Sequence, residues 1–480
     1  MYSVREVLES ENIVVIGASR DLFKPGALIL KVLQDVGFKG RMAGVNPQGG
    51  EVYGQPLYKT IEDVPFRVDL ALLLIPPKFV ADAVLACAKR GVKGVVIGSE
   101  GFAEAGEQGR RHQEDLEAAL QSTGIRGFGP NTLGIVNTET GLTTSYFSDS
   151  RMLVPGSIGF VAQSGIFVGA LLRYLSTLDG LHLSKGMGLG NKVDVDECDA
   201  LSYLREDEQT RIVGMYLEDI RDGRRFVEEA RETVKQKPVL LLKGGRTDEG
   251  ARAIASHTGS LAVDDAVLGG ALRQAGVLRM GGIDELVGTL KGFEWMPLPK
   301  GDRIALVTYS GAQAIMSIDT AMQQGLRIAR FAGETQEKLD QVIATRAKSR
   351  NPVDIFPDMM VHGFEKISVE TVKALLEDDG VHAIFFISFA IEESEEYRAL
   401  VDLIQEKRTK PVFVSLLGRK EDVESCKQLI EANRIPFYLF PDMGVRVLAH
   451  MWRYALTVQR EEEGERAKVK GQRDGSSIEE

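Results

Sequence analysis

Ser157–Leu172 reads SIGFVAQSGIFVGALL, and Arg303–Ile318 reads RIALVTYSGAQAIMSI. Each stretch is a short apolar run, a Ser-Gly turn and then a helical pattern. A continuous apolar run too short for a helix marks a strand buried on both faces, as in a parallel sheet. Two further pairs recur in the same order. Asn191-Lys192-Val193-Asp194 returns as Asn351-Pro352-Val353-Asp354, and Lys237-Pro238-Val239 returns as Lys410-Pro411-Val412. Shared features in one order indicate an internal duplication, so the chain carries two copies of one doubly wound α/β domain.

Outward from the first copy the same alternation continues: NIVVIGAS then ALILKVLQDVG, VDLALLLIPP then FVADAVLACAKRG, and KGVVIGS then a charged helix near Arg110–Ser122. A different α/β domain therefore precedes the two copies. Polar, turn-rich NTETGLTTSYFSDS and the Met296–Gly301 segment MPLPKG mark boundaries. The expected domains are 1–134, 135–298 and 299–458, followed by a charged, unstructured tail at 459–480.

The 480 residues include 69 acidic and 58 basic ones, a net charge of −11, which argues against nucleic-acid binding on a general basic face. Hydrophobic residues at 44% and charged residues at 26% are those of a globular protein. Cys87, Cys198 and Cys426 are spaced for neither a disulfide framework nor a metal site, so a reducing compartment, the cytoplasm, is expected. The amino terminus has no secretory leader pattern. Met152–Leu172 is uncharged and long enough to cross a bilayer. It is broken by Pro155, Gly156 and Gln163-Ser164-Gly165, which lipid does not tolerate, so no membrane association is expected.

The two copies diverge after their KPV strands. The first continues GGRTDEGARAIASHTGSLA and the second GRKEDVESCKQLIEANRIPF, without a histidine. Read locally, Ser256-His257-Thr258-Gly259 is a helix-cap cluster with an incidental surface histidine. Read chemically, His257 is a nucleophile for a phosphoryl group, neutral near pH 7, with hydroxyls and N–H groups of Ser256, Thr258 and Gly259 at hand for phosphate oxygens. Such a histidine needs an orienting acceptor. Glu218, at the end of RIVGMYLEDI, stands where a parallel strand meets its loop, with Asp219 as its rival. Gln163-Ser164-Gly165 closes a strand and opens a helix, so Ser164 and Gly165 offer an anion site that needs no net positive charge. Tyr309-Ser310-Gly311, in the copy without a histidine, reads as a tight turn. In the first domain Gly17-Ala18-Ser19-Arg20 ends the first strand and Lys24 follows, which suits a nucleotide-like ligand reached by Arg20 and Lys24. Asn46-Pro47 and Ile75-Pro76-Pro77 follow the next strands. Gly245 and Gly250 lack the Lys-Ser/Thr of a phosphate loop, so a nucleotide site of the chain's own is not visible.

GARAIASHTGSLA, LEDIRDGRRFVEEAR with KPVLLLKGGRT, GNKVDV, GPNTLG (Gly129–Gly134), GFAEAG (Gly101–Gly106) and NPVDI together resemble the α subunit of ADP-forming acyl-CoA synthetases, relatives of succinyl-CoA synthetase. The resemblance runs from Ser10 to Met451. It implies an α/β fold: a Rossmann-like CoA-binding domain, then two flavodoxin-like doubly wound parallel-sheet domains. It implies CoA contacts from Gly17, Ala18, Ser19, Arg20, Lys24, Asn46, Pro47, Ile75, Pro76 and Pro77, and an acyl and phosphate pocket at Gly101, Phe102 and Asn131. His257 is then the phosphohistidine, Glu218 its stabilising partner, and Ser164 and Gly165 the phosphate turn, with no metal on this chain. The implied cofactors are CoA, and ADP or ATP with Mg²⁺ on an ATP-grasp β subunit in an α2β2 assembly. The substrate is a small carboxylic acid or its acyl-CoA. Thr132 stands where the family usually has Cys, and Gln48 where it has Lys. Tyr309-Ser310-Gly311 and SFAIEES depart from the family pattern in the last domain. The alternatives are a CoA-sensing regulatory protein without turnover and a nucleotide-dependent oxidoreductase. The first is opposed by the lack of an appended effector domain, the second by the missing dinucleotide glycines.

Overall fold

The computed structural model describes residues 2–165, 167–178, 180–258, 264–344 and 349–475, and their side chains except at 255–258, 357 and 464–475. The chain forms two compact units, Met1–Met280 and Gly281–Glu480.

The first unit holds two sheets. One comprises β1 (Asn12–Ile16), β2 (Arg41–Val45), β3 (Gly50–Val52), β4 (Gln55–Tyr58), β5 (Leu70–Leu73), β6 (Gly94–Ile97) and β7 (Arg126–Phe128). Its order is β3-β4-β2-β1-β5-β6-β7, parallel except for the β3–β4 hairpin. Without β3 the chain order across the sheet is the Rossmann order, with its reversal between β1 and β5. The apolar runs explain the placement: every residue of LALL and GVVI is buried, and so is NIVVI beyond Asn12.

The other sheet comprises β8 (Ile135–Asn137), β9 (Leu142–Thr143), β10 (Ile158–Ala162), β11 (Leu183–Gly188), β12 (Ile212–Leu217), β13 (Val239–Lys243) and β14 (Leu278–Met280). The order is β14-β13-β12-β10-β11-β8-β9, with β8 antiparallel to β11 and β9 antiparallel to β8. Its parallel part has the flavodoxin order, reversing between β10 and β12.

The second unit holds β15 (Arg303–Thr308), β16 (Arg327–Ile328), β17 (Val353–Asp354), β18 (Ala383–Phe389) and β19 (Val412–Leu417), ordered β16-β15-β18-β19 with β17 beside β15. A bridge from Val414 to Phe437 stands in the next place. The duplication seen in sequence is thus a duplication of topology, with β15, β16, β18 and β19 repeating β10, β11, β12 and β13. The repeated KPV lysine has one task in both copies. Lys237 Nζ donates to the carbonyls of Leu204 at 2.7 Å and Asp207 at 2.6 Å, at the end of helix Glu197–Glu206. Lys410 donates to the carbonyls of Leu375 and Asp378, at the end of helix Phe364–Glu377. Burial pushes both ammonium groups below the usual lysine range.

Helix Ile283–Trp295 packs within the second unit: Tyr438 donates its hydroxyl to the Gly288 carbonyl at 2.8 Å, and Lys291 pairs with Glu431. Two features differ from expectation. After Gln163-Ser164-Gly165 the chain enters a π-helical turn, Phe167–Leu171, before the short helix Leu172–Leu175. The charged tail continues helix Pro441–Gly475. Its Glu, Arg, Lys and Ala are strong helix formers at i,i+4 spacings, which outweighs the lack of apolar residues. Among the described residues no helix is long and apolar enough to cross a membrane, and Met152–Leu172 contains β10 and its turn.

Candidate active site

Ligands of doubly wound sheets bind beyond the carboxyl ends of the strands where the order reverses. In the second sheet that place lies between β10 and β12, and it holds Gln163-Ser164-Gly165 and Glu218-Asp219. Gln163, buried, ties the two ends together. Its Oε1 accepts from the backbone N–H of Glu218 at 2.8 Å and of Asp219 at 3.1 Å, while its Nε2 donates to Asp219 Oδ1 at 2.6 Å. Gly165 faces Leu133, since a Cβ there would stand 3.5 Å from Leu133 Cγ. The phosphate turn expected at Ser164 and Gly165 therefore lies against GPNTLG. A π-helical turn directly after it is a geometry frequent at functional sites.

Glu218 and Asp219 differ in their partners. Asp219 Oδ1 lies 2.6 Å from Lys192 Nζ, and Lys192 also pairs with the fully buried Glu197 at 2.8 Å. Glu218 accepts from the Tyr216 hydroxyl at 3.3 Å. Burial, and after it the Glu218 charge, push the Tyr216 phenol up to about 12, so it stays a donor at neutral pH. Phe167 of the π turn stacks on Tyr216 with ring centroids 3.9 Å apart. Lys243, at the end of β13, donates to the carbonyls of Glu218 and Gly244, each at 2.5 Å, and its burial lowers its pKa.

β13 leads through Lys243-Gly244-Gly245 into helix Asp248–Thr258. Gly245 has φ +65°, and a Cβ on it would come within 2.4 Å of Ile254 Cδ1. A Cβ on Gly244 would stand 3.6 Å from both Glu218 Cγ and Ile254 Cδ1. The helix thus folds back over the glycine pair toward Glu218. Ser256, His257 and Thr258 occupy its last turn; their side chains, and Gly259 altogether, lie outside the described residues. The same helix packs against the short turn Ala103–Ala105 that follows β6.

That turn belongs to the first sheet's ligand edge. Glu104 Oε1 accepts from the N–H of Gly101 at 2.7 Å and Phe102 at 3.0 Å, and Oε2 from Asn191 Nδ2 at 2.7 Å. Burial raises the Glu104 pKa, but Asn191 and these N–H groups more than offset it and hold the carboxyl below its usual range. Asn131, at φ +61°, donates its N–H to the Ser99 carbonyl at 3.0 Å. Thr132 is buried and accepts at Oγ1 from the Gly134 N–H at 3.0 Å, so the hydroxyl that replaces the family's thiol is engaged in the turn.

At the first sheet's reversal Gly17 has φ +93°, and a Cβ would stand 2.3 Å from the Leu74 carbonyl oxygen. Only glycine fits. Gly26 brings the first turn of helix Pro25–Asp35 onto Gly17, with Lys24 at its N-cap, which fits a phosphate-bearing ligand. Asn46 Nδ2 donates to the Ala18 carbonyl at 2.7 Å, and Arg20 Nη2 to Gln48 Oε1 at 2.6 Å. Gln48 thus holds Arg20 at the turn, a contact that lysine in its place would not accept. Ser99 Oγ donates to the Ile75 carbonyl at 2.6 Å and accepts from the Ile75 N–H at 3.1 Å. Pro77 lies beside Gly101. Gly17, Ala18, Ser19, Arg20, Lys24, Asn46, Pro47, Ile75, Pro76, Pro77, Gly101 and Phe102 thus line one edge. Gln163, Lys192, Tyr216, Lys243 and Asn191 were not singled out as site residues. Lys192 stood in a recognised motif, whereas Tyr216 carried no signal beyond its strand. Among the described residues no cluster of His, Cys, Asp and Glu could hold a metal ion.

A Rossmann-order sheet followed by a flavodoxin-order sheet, each with a glycine turn at its reversal, is the arrangement expected of a ligase of the succinyl-CoA ligase type. The comparisons bear this out: residues 11–138 match the CoA binding domain and residues 155–293 the succinyl-CoA ligase like flavodoxin domain. Acetate–CoA ligase [ADP-forming] II subunit alpha of Pyrococcus furiosus is 34% identical over 90% of this chain and 93% of its own length. Acetate–CoA ligase [ADP-forming] II of Archaeoglobus fulgidus is 36% identical over 94% of this chain and 67% of its own. The solved Ca. Korarchaeum cryptofilum dinucleotide forming acetyl-coenzyme A synthetase 1, in complex with phosphate and ADP, is 29% identical with a TM-score of 0.88, covering 96% of this chain and 99% of that one. The chain belongs to the α-subunit family of ADP-forming acyl-CoA synthetases.

Proposed function

We propose that the chain supplies the CoA-binding and phosphohistidine half of an ADP-forming acid–CoA ligase, which interconverts acyl-CoA, phosphate and ADP with carboxylic acid, CoA and ATP. Phosphate oxygen attacks the thioester carbonyl and CoA leaves as thiolate, giving acyl phosphate. An imidazole nitrogen of His257 then attacks phosphorus and the carboxylate departs. The phosphoryl group passes finally to ADP. The Gly17–Arg20 turn, Lys24, Asn46-Pro47 and Ile75–Pro77 hold CoA, while Gly101, Phe102 and Asn131 border the acyl group. Ser164, Gly165, Ser256, Thr258 and Gly259 take the phosphate, and Glu218 accepts from the other imidazole nitrogen, leaving the attacking one unprotonated.

The observation that carries this reading is the pairing, at one sheet reversal, of the Ser164-Gly165 turn with Glu218, whose carboxylate accepts from Tyr216 beside the glycine pair that leads into the helix bearing His257. The nucleotide and its Mg²⁺ are assigned to an ATP-grasp β subunit in an α2β2 assembly. Support comes from relatives named as separate α subunits and from single-chain relatives of which this chain spans about two thirds. Relatives are named for acetate, 4-hydroxybutyrate and trans-feruloyl-CoA, so the acid is found by assaying a panel.

The test is reconstitution with an ATP-grasp partner, supplying acyl-CoA, phosphate and ADP and measuring ATP and free thiol. Turnover that His257→Asn abolishes is expected. CoA binding without turnover, with every acyl-CoA tried, would establish the sensing alternative instead.

A further inference from the structure

Lys192 is the least explained residue of the second sheet's ligand edge. Its side chain is 1% exposed, between Glu197 at 0% and Asp219 at 17%. Its backbone has φ +55°, a left-handed conformation that a non-glycine residue adopts only under constraint. A buried ion pair is poor value for stability, since removing charges from water costs as much as their attraction returns. A strained, buried lysine between two carboxylates therefore calls for a reason of position.

The neighbouring contacts supply one. Lys192 Nζ bonds both the Asp219 carboxylate at 2.6 Å and the Asp219 carbonyl at 3.1 Å, so it grips the loop that carries Glu218 through side chain and backbone together. Gln163 grips the same loop from the phosphate turn, and Glu197 braces it from behind by accepting the Arg221 N–H at 2.8 Å. The segment holding Lys192 is fastened in turn to the first sheet's edge: the N–H groups of Asn191 and Val193 donate to the carbonyls of Pro130 at 2.9 Å and Gly129 at 3.1 Å. Asn191 reaches Glu104, which holds the Gly101–Phe102 turn. Adjacent residues on one tight turn thus reach to opposite sides, Asn191 to the CoA domain's edge and Lys192 to the loop of the histidine's carboxylate.

We propose that Lys192 is a positioning residue for phosphoryl transfer: by pinning Asp219 it fixes the Glu218 loop against the phosphate turn and the CoA-domain edge, so that Glu218 alone is presented to His257. This rests on the phosphohistidine reading above and names a residue of that site.

The test compares the parent, Lys192→Met, Asp219→Ala, the double variant and Lys192→Arg, each in full-length chain reconstituted with the ATP-grasp partner. Asp219→Ala leaves the Lys192–Glu197 pair intact and is the informative variant if Lys192→Met does not fold. Displacing a catalytic group by about 1 Å costs about a hundredfold. Asp219→Ala should therefore lose tenfold to a hundredfold in kcat, with KM for CoA, CoA binding and thermal midpoint within about twofold or a few degrees of the parent; Lys192→Met should lose as much in kcat, with a lowered midpoint because Glu197 stays buried without its partner. The double should be no worse than either single, because both break one pin, and Lys192→Arg should recover part of the loss. Asp219→Ala turning over at the parent rate, or losses that multiply in the double, would overturn the proposal. Were the role a general structural one, Asp219→Ala would lower CoA binding and the melting point along with kcat, and that too would overturn the proposal. If His257→Asn, run alongside, turns over like the parent, the phosphohistidine reading itself fails, and the positioning role with it. That outcome is distinguishable because it does not depend on Lys192.

Discussion

At the scale of single residues, the site rests on groups whose places leave little freedom. Gly17 combines φ +93° with a Cβ direction aimed at the Leu74 carbonyl. Gly17→Ala should destabilise the first unit by about 1–3 kcal/mol and weaken CoA binding, as chemical denaturation and a CoA titration would register. An unchanged CoA affinity would remove the turn from the CoA site. Glu104 provides a pH signature. Its hydrogen bonds hold its folded-state pKa below the ordinary glutamate value, so between the two the folded state binds fewer protons than the unfolded one. Its contribution is fully present above the unfolded value and is lost as pH falls through the lower folded value. Glu104→Gln should therefore flatten the acid limb of the parent's melting temperature as pH falls below the ordinary glutamate value; an acid limb of the same slope would show that Glu104 is not linked to folding. Of this layer, Gly17, Glu218 and His257 stood out in the sequence as candidates because a turn, a strand end and an asymmetry between two repeats mark them. Lys192, Tyr216 and Gln163 acquire partners only once β10 lies beside β12, and no spacing along the chain carries that information.

At the scale of elements, apolar runs gave the strands, and the matching Ser-Gly and KPV segments gave the duplication, because burial on both faces leaves a composition that survives divergence. The repeated lysine makes this concrete. Replacing Lys237 or Lys410 by Met leaves buried carbonyls at the end of a helix without a donor, which costs about 1–3 kcal/mol for each such group. Urea unfolding should show similar losses for both variants; a loss confined to one copy would mean the motif's task is not shared. The repeated asparagine behaves differently. Asn351 donates to the carbonyls of Ile304 and Ala329 inside its own sheet, while Asn191 reaches Glu104 of the neighbouring sheet. One motif has been kept for two purposes, and sequence alone presents them as one. The π-helical turn after Gln163-Ser164-Gly165 was likewise hidden, because its residues read as an ordinary helix start.

At the scale of the whole molecule, the Pro-rich Met296–Gly301 segment suggested a boundary just beyond helix Ile283–Trp295, close to where the succinyl-CoA ligase like flavodoxin match ends at residue 293, while the compact units divide at Met280/Gly281. Helix Ile283–Trp295 belongs with the second unit through Lys291–Glu431 and the Tyr438–Gly288 bond. A fragment 281–480 should unfold cooperatively, whereas 299–480, which lacks that helix, should be markedly less stable or insoluble. Equal stability of the two fragments, by circular dichroism during heating, would show that this helix does not help hold the second unit together. The acidic balance also finds its place at this scale: the anion sites proposed are a helix start over Gly17 and a strand-end turn at Ser164, which need no positive surface.

The most direct measurement of the central claim is to incubate the chain with an acyl-CoA and radiolabelled phosphate, then map the label by mass spectrometry. The account predicts an acid-labile, base-stable phosphoryl group on His257, absent in His257→Asn and weakened in Glu218→Gln. Equal labelling of the parent and His257→Asn, or label on a hydroxyl residue instead, would contradict it.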